Sequence, residues 1–278
     1  MNQNAAQMWQ LAYMLPLIIG QSISSNCPYW DNYTALLEAC SVIFSPCITL
    51  NMVDFLRVCI EEYLYSFQQL YDKTLTPKQH FLIHYPQLII KFGPLIHFWS
   101  MRMEAKHQYF KSLVHAMHNF KNTSLSLARK HQLHQAYVLH GYSLLHNVEF
   151  GPATAVDGMN LPFLNLLDYD ENLYVVPWTS IDGVKYISKK CFILSNCDAT
   201  YEFMQVHTII SRKRNPLLIC LKTKYVEKDS HTCAYLVELS NEFVVIDPVE
   251  LDVKMVFHMH LVDSKTYILM KQAFISPY

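Results

Sequence analysis

Glu104 is the only carboxylate in a basic segment of this sequence, so it should ionise easily. Residues 74–135 contain eight Lys or Arg, eight of the 14 histidines and one carboxylate, Glu104. Its spacing leaves two interpretations open: a counter-ion for Arg102 or Lys106, and a metal-binding carboxylate. One carboxylate alone cannot hold the two metal ions of a phosphoryl-transfer centre, which needs several converging acidic ligands.

The charge of this segment also suggests a binding surface. Residues 1–72 hold six Asp or Glu and a single basic residue, Arg57, so the basic residues that follow are not balanced locally. A positively charged surface attracts polyanions such as nucleic acid. The predicted nucleic-acid contacts are Lys78, Lys91, Arg102, Lys106, Lys111, Lys121, Arg129 and Lys130.

Three further patterns are weaker candidates. His80 and His84 have the spacing of metal ligands on one helical face, but no third ligand is nearby in sequence, which favours packing histidines. Residues 212–214 (RKR) predict either a solvated hairpin tip or a phosphate-binding or nuclear-import patch. The acidic residues Asp168, Asp170 and Glu171 predict a solvated loop.

Aromatic side chains of the C-terminal half offer one more alternative. They could line the groove of a small barrel, although core packing is the more frequent use of such rings. The residues concerned are Tyr174, Trp178, Tyr186, Tyr201 and Tyr235.

The basic segment must be positioned by helices. Apolar residues recur at three- and four-residue steps along residues 53–71, where Asn51 or Asp54 is the expected cap. Thr76 followed by Pro77 predicts the start of the next helix. A long helix is expected after residues 93–94 (GP), running to about residue 119. Its predicted inner stripe consists of Ile96, Trp99, Met103, Phe110, Leu113 and Met117.

The pattern changes after residue 150. Residues 151–172 read as a linker, and residues 173–278 contain seven or eight short β-rich runs without intervening helices. Asp182 followed by Gly183 is a hairpin signal. The sequence therefore predicts an α+β protein: a helical region over residues 1–150, then a small antiparallel β barrel or sandwich.

The composition favours an intracellular globular protein. Hydrophobic residues make up 51% of the chain and charged residues 16%, which is typical of packed structure. The apolar run over residues 9–20 is too short to span a bilayer and lacks the features of a secretion signal. We therefore expect no membrane association, a location in the nucleus or cytoplasm, and eight reduced cysteines rather than disulfides.

A long motif runs through residues 75–111: LTPKQHFLIHYPQLI, then FGPL, then FWSMRMEAKHQYFK. In this motif, and in shorter segments within residues 6–49 and 201–235, the chain resembles the C-terminal region of transposon-encoded proteins of animal genomes. These proteins are related to the CACTA (En/Spm-like) class of DNA transposases. The resemblance covers most of the chain.

The resemblance implies a DDE-type nuclease of RNase H-like fold, with a helical insertion between the second and third acidic residues. Glu104 matches the last of the three, and Mg or Mn would be the metal of a complete site. The family's first two aspartates would precede Met1, and residues 1–70 match the helical insertion. We therefore expect a transposon-derived fragment that is catalytically incomplete, has no cofactor of its own and retains DNA binding.

Two alternatives stay open at this point. The chain could be part of a metal-dependent transposase or nuclease whose catalytic half is supplied from elsewhere. It could also be an interaction module that binds protein partners through its β domain, residues 173–278.

Overall fold

The computed structural model describes residues 4–118, 121–140, 148–156, 162–163, 166–167, 173–196, 200–213 and 215–274. Within these residues, helices fill the N-terminal part and antiparallel strands fill the C-terminal part. The strands close into a barrel, so the predicted α+β class is confirmed and the sandwich alternative is not adopted.

Seven α-helices lie in the described part of the chain. Their bounds are α1 (Ala5–Ile19), α2 (Pro28–Ile43), α3 (Leu50–Tyr71), α4 (Pro77–Leu82), α5 (Tyr85–Phe92), α6 (Ser100–Met117) and α7 (Thr123–Leu139). Short 3₁₀ turns follow α1, at Gly20–Ser22, and precede α6, at Leu95–His97.

The central helix of this region is α3, which buries one apolar face. Its buried residues follow the predicted steps: Met52, Val53, Leu56, Cys59, Ile60, Tyr63 and Leu64. The predicted cap was wrong, because the side chain of Thr49 accepts the hydrogen bond from the backbone N–H of Met52. The helix begins at residue 50, so Asn51 and Asp54 lie inside its first turns.

Local signals set the boundaries of α4 and α6. Thr76 caps α4 and Pro77 occupies its first position, as predicted. Gln79 completes a reciprocal capping box with Thr76, which was not predicted. The single helix expected over residues 95–119 is wrong: a 3₁₀ turn and Trp99, in extended conformation, precede α6. No residue of α6 is fully buried. Of the predicted inner stripe on this helix, Phe110, Leu113 and Met117 are half-buried and Met103 is exposed.

Eleven strands lie in the described part of the chain. Their bounds are β1 (Val148–Phe150), β2 (Thr154–Ala155), β3 (Leu173–Val176), β4 (Trp178–Ile181), β5 (Val184–Ile187), β6 (Cys191–Asn196), β7 (Glu202–Arg212), β8 (Asn215–Asp229), β9 (Ala234–Ile246), β10 (Phe257–Val262) and β11 (Lys265–Ile268). Strand pairing starts before residue 173, since β1 pairs with β4 and β2 pairs with β3.

Six strands form a closed antiparallel barrel in the order β7-β6-β10-β11-β9-β8, with β8 returning to β7. Closure requires bent strands, and the pairing register shifts between Val206 and Thr208 in β7 and twice along β8. The β4–β5 hairpin turns at Asp182 and Gly183, whose positive φ angles of 50° and 83° suit the predicted tight turn.

The helical part and the barrel share an apolar cluster. Tyr13, Leu17 and Leu37 from α1 and α2 pack with Ala234, Tyr267 and Leu269 from the β part. Polar contacts fasten the same boundary: the indole N–H of Trp30 donates to the carbonyl of His231 at 2.9 Å, and the imidazole Nε2 of His231 lies 2.8 Å from the carbonyl of Gly20.

The C-terminal segment returns to the helices. Ala273 is buried in the α2–α3 core, and its backbone N–H donates to the carbonyl of Ser41 at 2.9 Å. The helical core is therefore completed by a residue that follows the last barrel strand.

Candidate nucleic-acid interface

The α6–α7 hairpin, residues 100–139, carries most of the predicted phosphate contacts. Arg102, Lys106 and Lys111 lie on α6, Arg129 and Lys130 on α7, and Lys121 in the connection between them. All six side chains are exposed. The other two predicted contacts, Lys78 on α4 and Lys91 on α5, are exposed as well but belong to neighbouring helices.

Aromatic and histidine side chains join the two helices of the hairpin. The rings of Tyr109 and Phe110 lie 6.4 Å and 5.6 Å from the ring of His131, and Tyr109 also contacts His134. The ammonium of Lys106 lies 5.0 Å from the Tyr109 ring centre and 3.4 Å from Nδ1 of His131. These contacts position Lys106 at the crossing of the helices.

The histidines at this crossing were not predicted as site residues. His131 and His134 are three residues apart, which places them on one face of α7, toward α6. That spacing was the available signal. It was hidden because residues 74–135 contain eight histidines, and spacing alone does not show which of them pack together.

The hairpin is exposed to an unusual degree for a pair of helices. Neither α6 nor α7 contains a buried residue. Apolar side chains on α7 share this exposure, with Leu133 70% and Leu139 86% exposed. The hairpin therefore presents its side chains to solvent, where a large ligand can reach them.

Glu104 lies exposed on α6 among these cations. The counter-ion interpretation was wrong, because residues two apart on a helix point in different directions. Arg102 instead contacts Nδ1 of His97 at 3.1 Å, and Lys106 contacts His131. Among the described residues, Glu104 pairs with no basic side chain.

Glu104 also lacks partners for a metal ion within the described ranges. A Mg or Mn ion takes several oxygen ligands. No group of three or more His, Cys, Asp or Glu side chains in the described part of the chain could hold a metal. The described residues do not fit the metal of a DDE-type site, so a metal role for Glu104 stays a prediction.

The histidine pair does not share one helix. His80 lies in α4, which ends at Leu82, and His84 is the residue before α5. Their rings are 5.2 Å apart and meet edge to face. The prediction of one helical face was wrong because the chain turns between the two residues, and the edge-to-face contact agrees with a packing role.

The predicted aromatic residues of the β part do not line one groove. Tyr186 is buried in the barrel region, whereas Tyr174 is exposed on β3. Tyr201 and Tyr235 pack against each other with ring centres 5.4 Å apart, and the ammonium of Lys185 lies over the ring of Trp178 at 4.2 Å. These rings serve separate local contacts.

Two other predictions fall partly or wholly outside the described residues. Arg212 ends β7 and Lys213 lies in the β7–β8 turn, but residue 214 is outside the described ranges. The acidic residues Asp168, Asp170 and Glu171 also lie outside them. All seven cysteines in the part of the chain that the structure describes are free thiols, and Cys197 lies outside it.

Neither membrane-spanning helices nor known relatives add to the description of this site. No helix among the described residues is long and apolar enough to cross a membrane. Comparison with protein families, curated proteins and solved structures gives no significant match to this chain.

Proposed function

We propose that this chain is a transposon-derived protein that binds nucleic acid through the α6–α7 hairpin. The observation that carries the proposal is the exposed charge of the hairpin: six Lys or Arg against the single carboxylate of Glu104. The resemblance to CACTA-class transposases agrees with a DNA ligand, and such a ligand suits a protein of the nucleus or cytoplasm.

The hairpin cations are available to phosphates. Arg102, Lys106, Lys111, Arg129 and Lys130 form no ion pair with a carboxylate of the described residues. A Lys or Arg side chain that replaces the small cations condensed on nucleic-acid phosphates releases those cations to the solution, and this release drives binding. The contacts would be with the backbone, so they position the ligand without reading its sequence.

Catalysis is not part of the proposed activity of this chain alone. Glu104 would supply one metal-binding carboxylate, and phosphoryl transfer by metal ions needs more. We expect no cleavage or strand transfer when the chain is incubated with DNA and Mg or Mn. Cleavage under these conditions, lost in the Glu104→Gln variant, would instead favour the transposase or nuclease alternative.

The binding proposal is tested by titrating a labelled DNA duplex with the full chain and following fluorescence anisotropy at several salt concentrations. The test variant carries Lys111→Gln, Arg129→Gln and Lys130→Gln, three exposed positions without a described structural contact. Each phosphate contact contributes about 0.9 to the slope of log affinity against log salt. The variant should therefore bind more weakly at low salt and show a slope smaller by about 2 to 3.

A matched control carries the same number of charge changes on the barrel: Lys224→Gln, Lys254→Gln and Lys265→Gln, all at exposed positions. The control should keep the affinity and salt slope of the wild type. Equal losses in both variants would mean that only net charge matters, and no binding at low salt would refute the proposal.

A further inference from the structure

A cleft of about 600 Å³ lies where α1, the residue preceding α6, β10 and the C-terminal segment meet. Its volume is in the range of small-molecule binding sites. Trp9 comes from α1, Trp99 is the residue immediately before α6, and Lys271 follows β11. The cleft therefore forms only when the helical part and the barrel are packed together.

The described lining of the cleft has basic side chains and no acidic one. The basic side chains are those of Lys271, His258 and His260. Burial lowers the pKa of His260, and the neighbouring charges of His258 and Lys271 lower it further. Burial also lowers the pKa of Lys271. A bound anion would offset these costs, because it favours the charged form of each group.

One wall of the cleft is aromatic and held in place from behind. The rings of Trp9 and Trp99 meet edge to face at 5.6 Å, and Phe44 packs against both at 5.3 Å and 5.5 Å. The ammonium of Lys271 lies 5.3 Å from the Trp9 ring centre and donates a hydrogen bond to the side-chain oxygen of Gln10. A rigid aromatic wall beside a cation suits a planar ligand that carries negative charge.

The indole of Trp9 also has an unpaired hydrogen-bond donor in the described part of the chain. This donor, Nε1, is buried and has no acceptor among the described residues. A buried donor without a partner costs free energy. A ligand atom that accepts a hydrogen bond from this N–H would remove the cost.

We propose that this cleft binds a nucleotide, with its phosphate at Lys271 and its base against the aromatic wall of Trp9 and Trp99. The nucleotide could be free, or it could be an unpaired base of a strand bound along the α6–α7 hairpin, which begins one residue after Trp99. The strand-bound case rests on the proposed function, whereas the free nucleotide does not. Stacking on aromatic side chains is how proteins commonly hold unpaired bases.

Isothermal titration calorimetry of the full chain can test the proposal with four probes: adenosine monophosphate, adenosine, inorganic phosphate and a short single-stranded oligonucleotide. Adenosine monophosphate should bind more tightly than adenosine or phosphate, since only it can contact both the aromatic wall and Lys271. Lys271→Gln should weaken its binding about tenfold or more, because a charge-assisted hydrogen bond is lost. Lys271→Arg should restore part of the affinity, and Lys254→Gln, at an exposed position outside the cleft, should change nothing.

The outcomes separate this proposal from the previous one. If the Lys111, Arg129 and Lys130 variant still binds adenosine monophosphate like the wild type, the cleft acts without the hairpin. If only the oligonucleotide shows dependence on Lys271, the strand is the source of the nucleotide. If no probe depends on Lys271 in a variant whose circular dichroism and melting temperature match the wild type, the cleft proposal is wrong.

Discussion

Shortening Leu17 to alanine tests whether the helical part and the barrel unfold as one unit. Leu17 is only 6% exposed and packs in the cluster that joins α1 and α2 to the β part. Removing a buried leucine side chain costs about 2 to 5 kcal/mol, because apolar contact is lost and a cavity remains. We expect the free energy of unfolding of Leu17→Ala to fall by about 3 kcal/mol.

Urea unfolding and amide hydrogen exchange together provide the assay. With a denaturant dependence of about 3 kcal/mol per molar urea, the unfolding midpoint should fall by about 1 M. Peptides from α3 and from β8 should lose the same amount of protection against exchange, since both are exposed by one global unfolding event.

The exposed Leu139 supplies the control for this experiment. Leu139→Ala makes the same chemical change at a position that is 86% exposed, and should alter stability by less than about 0.5 kcal/mol. If Leu17→Ala weakens protection in α3 while β8 keeps its wild-type protection, the two regions unfold separately and the reasoning from the shared cluster fails.

Three other predictions concern the cap of α4, a half-buried imidazole and the thiols. Thr76→Ala removes the capping box and should lower the free energy of unfolding by about 1 kcal/mol in urea titrations, whereas Thr76→Ser should not; equal losses would contradict the cap. Burial, together with the charge of Lys189, holds the pKa of His207 below its ordinary 6.5, so its contribution to stability is complete above that pH. That contribution should decline as pH falls through the lowered value, and His207→Gln should flatten thermal melting against pH in this range; an unchanged profile would contradict it. Burial raises the pKa of Cys59 to about 12, so iodoacetamide should label the exposed Cys47 first in native protein, as read by mass spectrometry. If iodoacetamide labels Cys47 and Cys59 at the same rate, α3 opens readily in the native protein.

Features set by neighbouring residues were the ones that the sequence predicted well. The cap at Thr76 and the tight turn at Asp182 and Gly183 each depend on a few adjacent residues, and both are present. The turn of β10 to β11 at Asp263 and Ser264 also has positive φ angles, but it lacks the glycine that usually marks such a turn.

The candidate sites show the same limit. The cations of the hairpin were predictable, because charge and exposure follow from composition and spacing. The contact between Lys106 and His131 depends on how two helices cross, and no local pattern specifies that crossing. The cleft is further from prediction, since Trp9 and Lys271 are brought together only by the packing of the helices on the barrel.

The position of Ala273 in the helical core has a consequence for synthesis of the protein. Because Ala273 bonds to Ser41, the α2–α3 core cannot be completed until the ribosome has released the barrel and the segment after it. Contacts between such distant residues slow folding, and apolar surface stays exposed meanwhile. A stop codon placed just before residue 273 should therefore yield less stable protein, a larger share of which is degraded in cells.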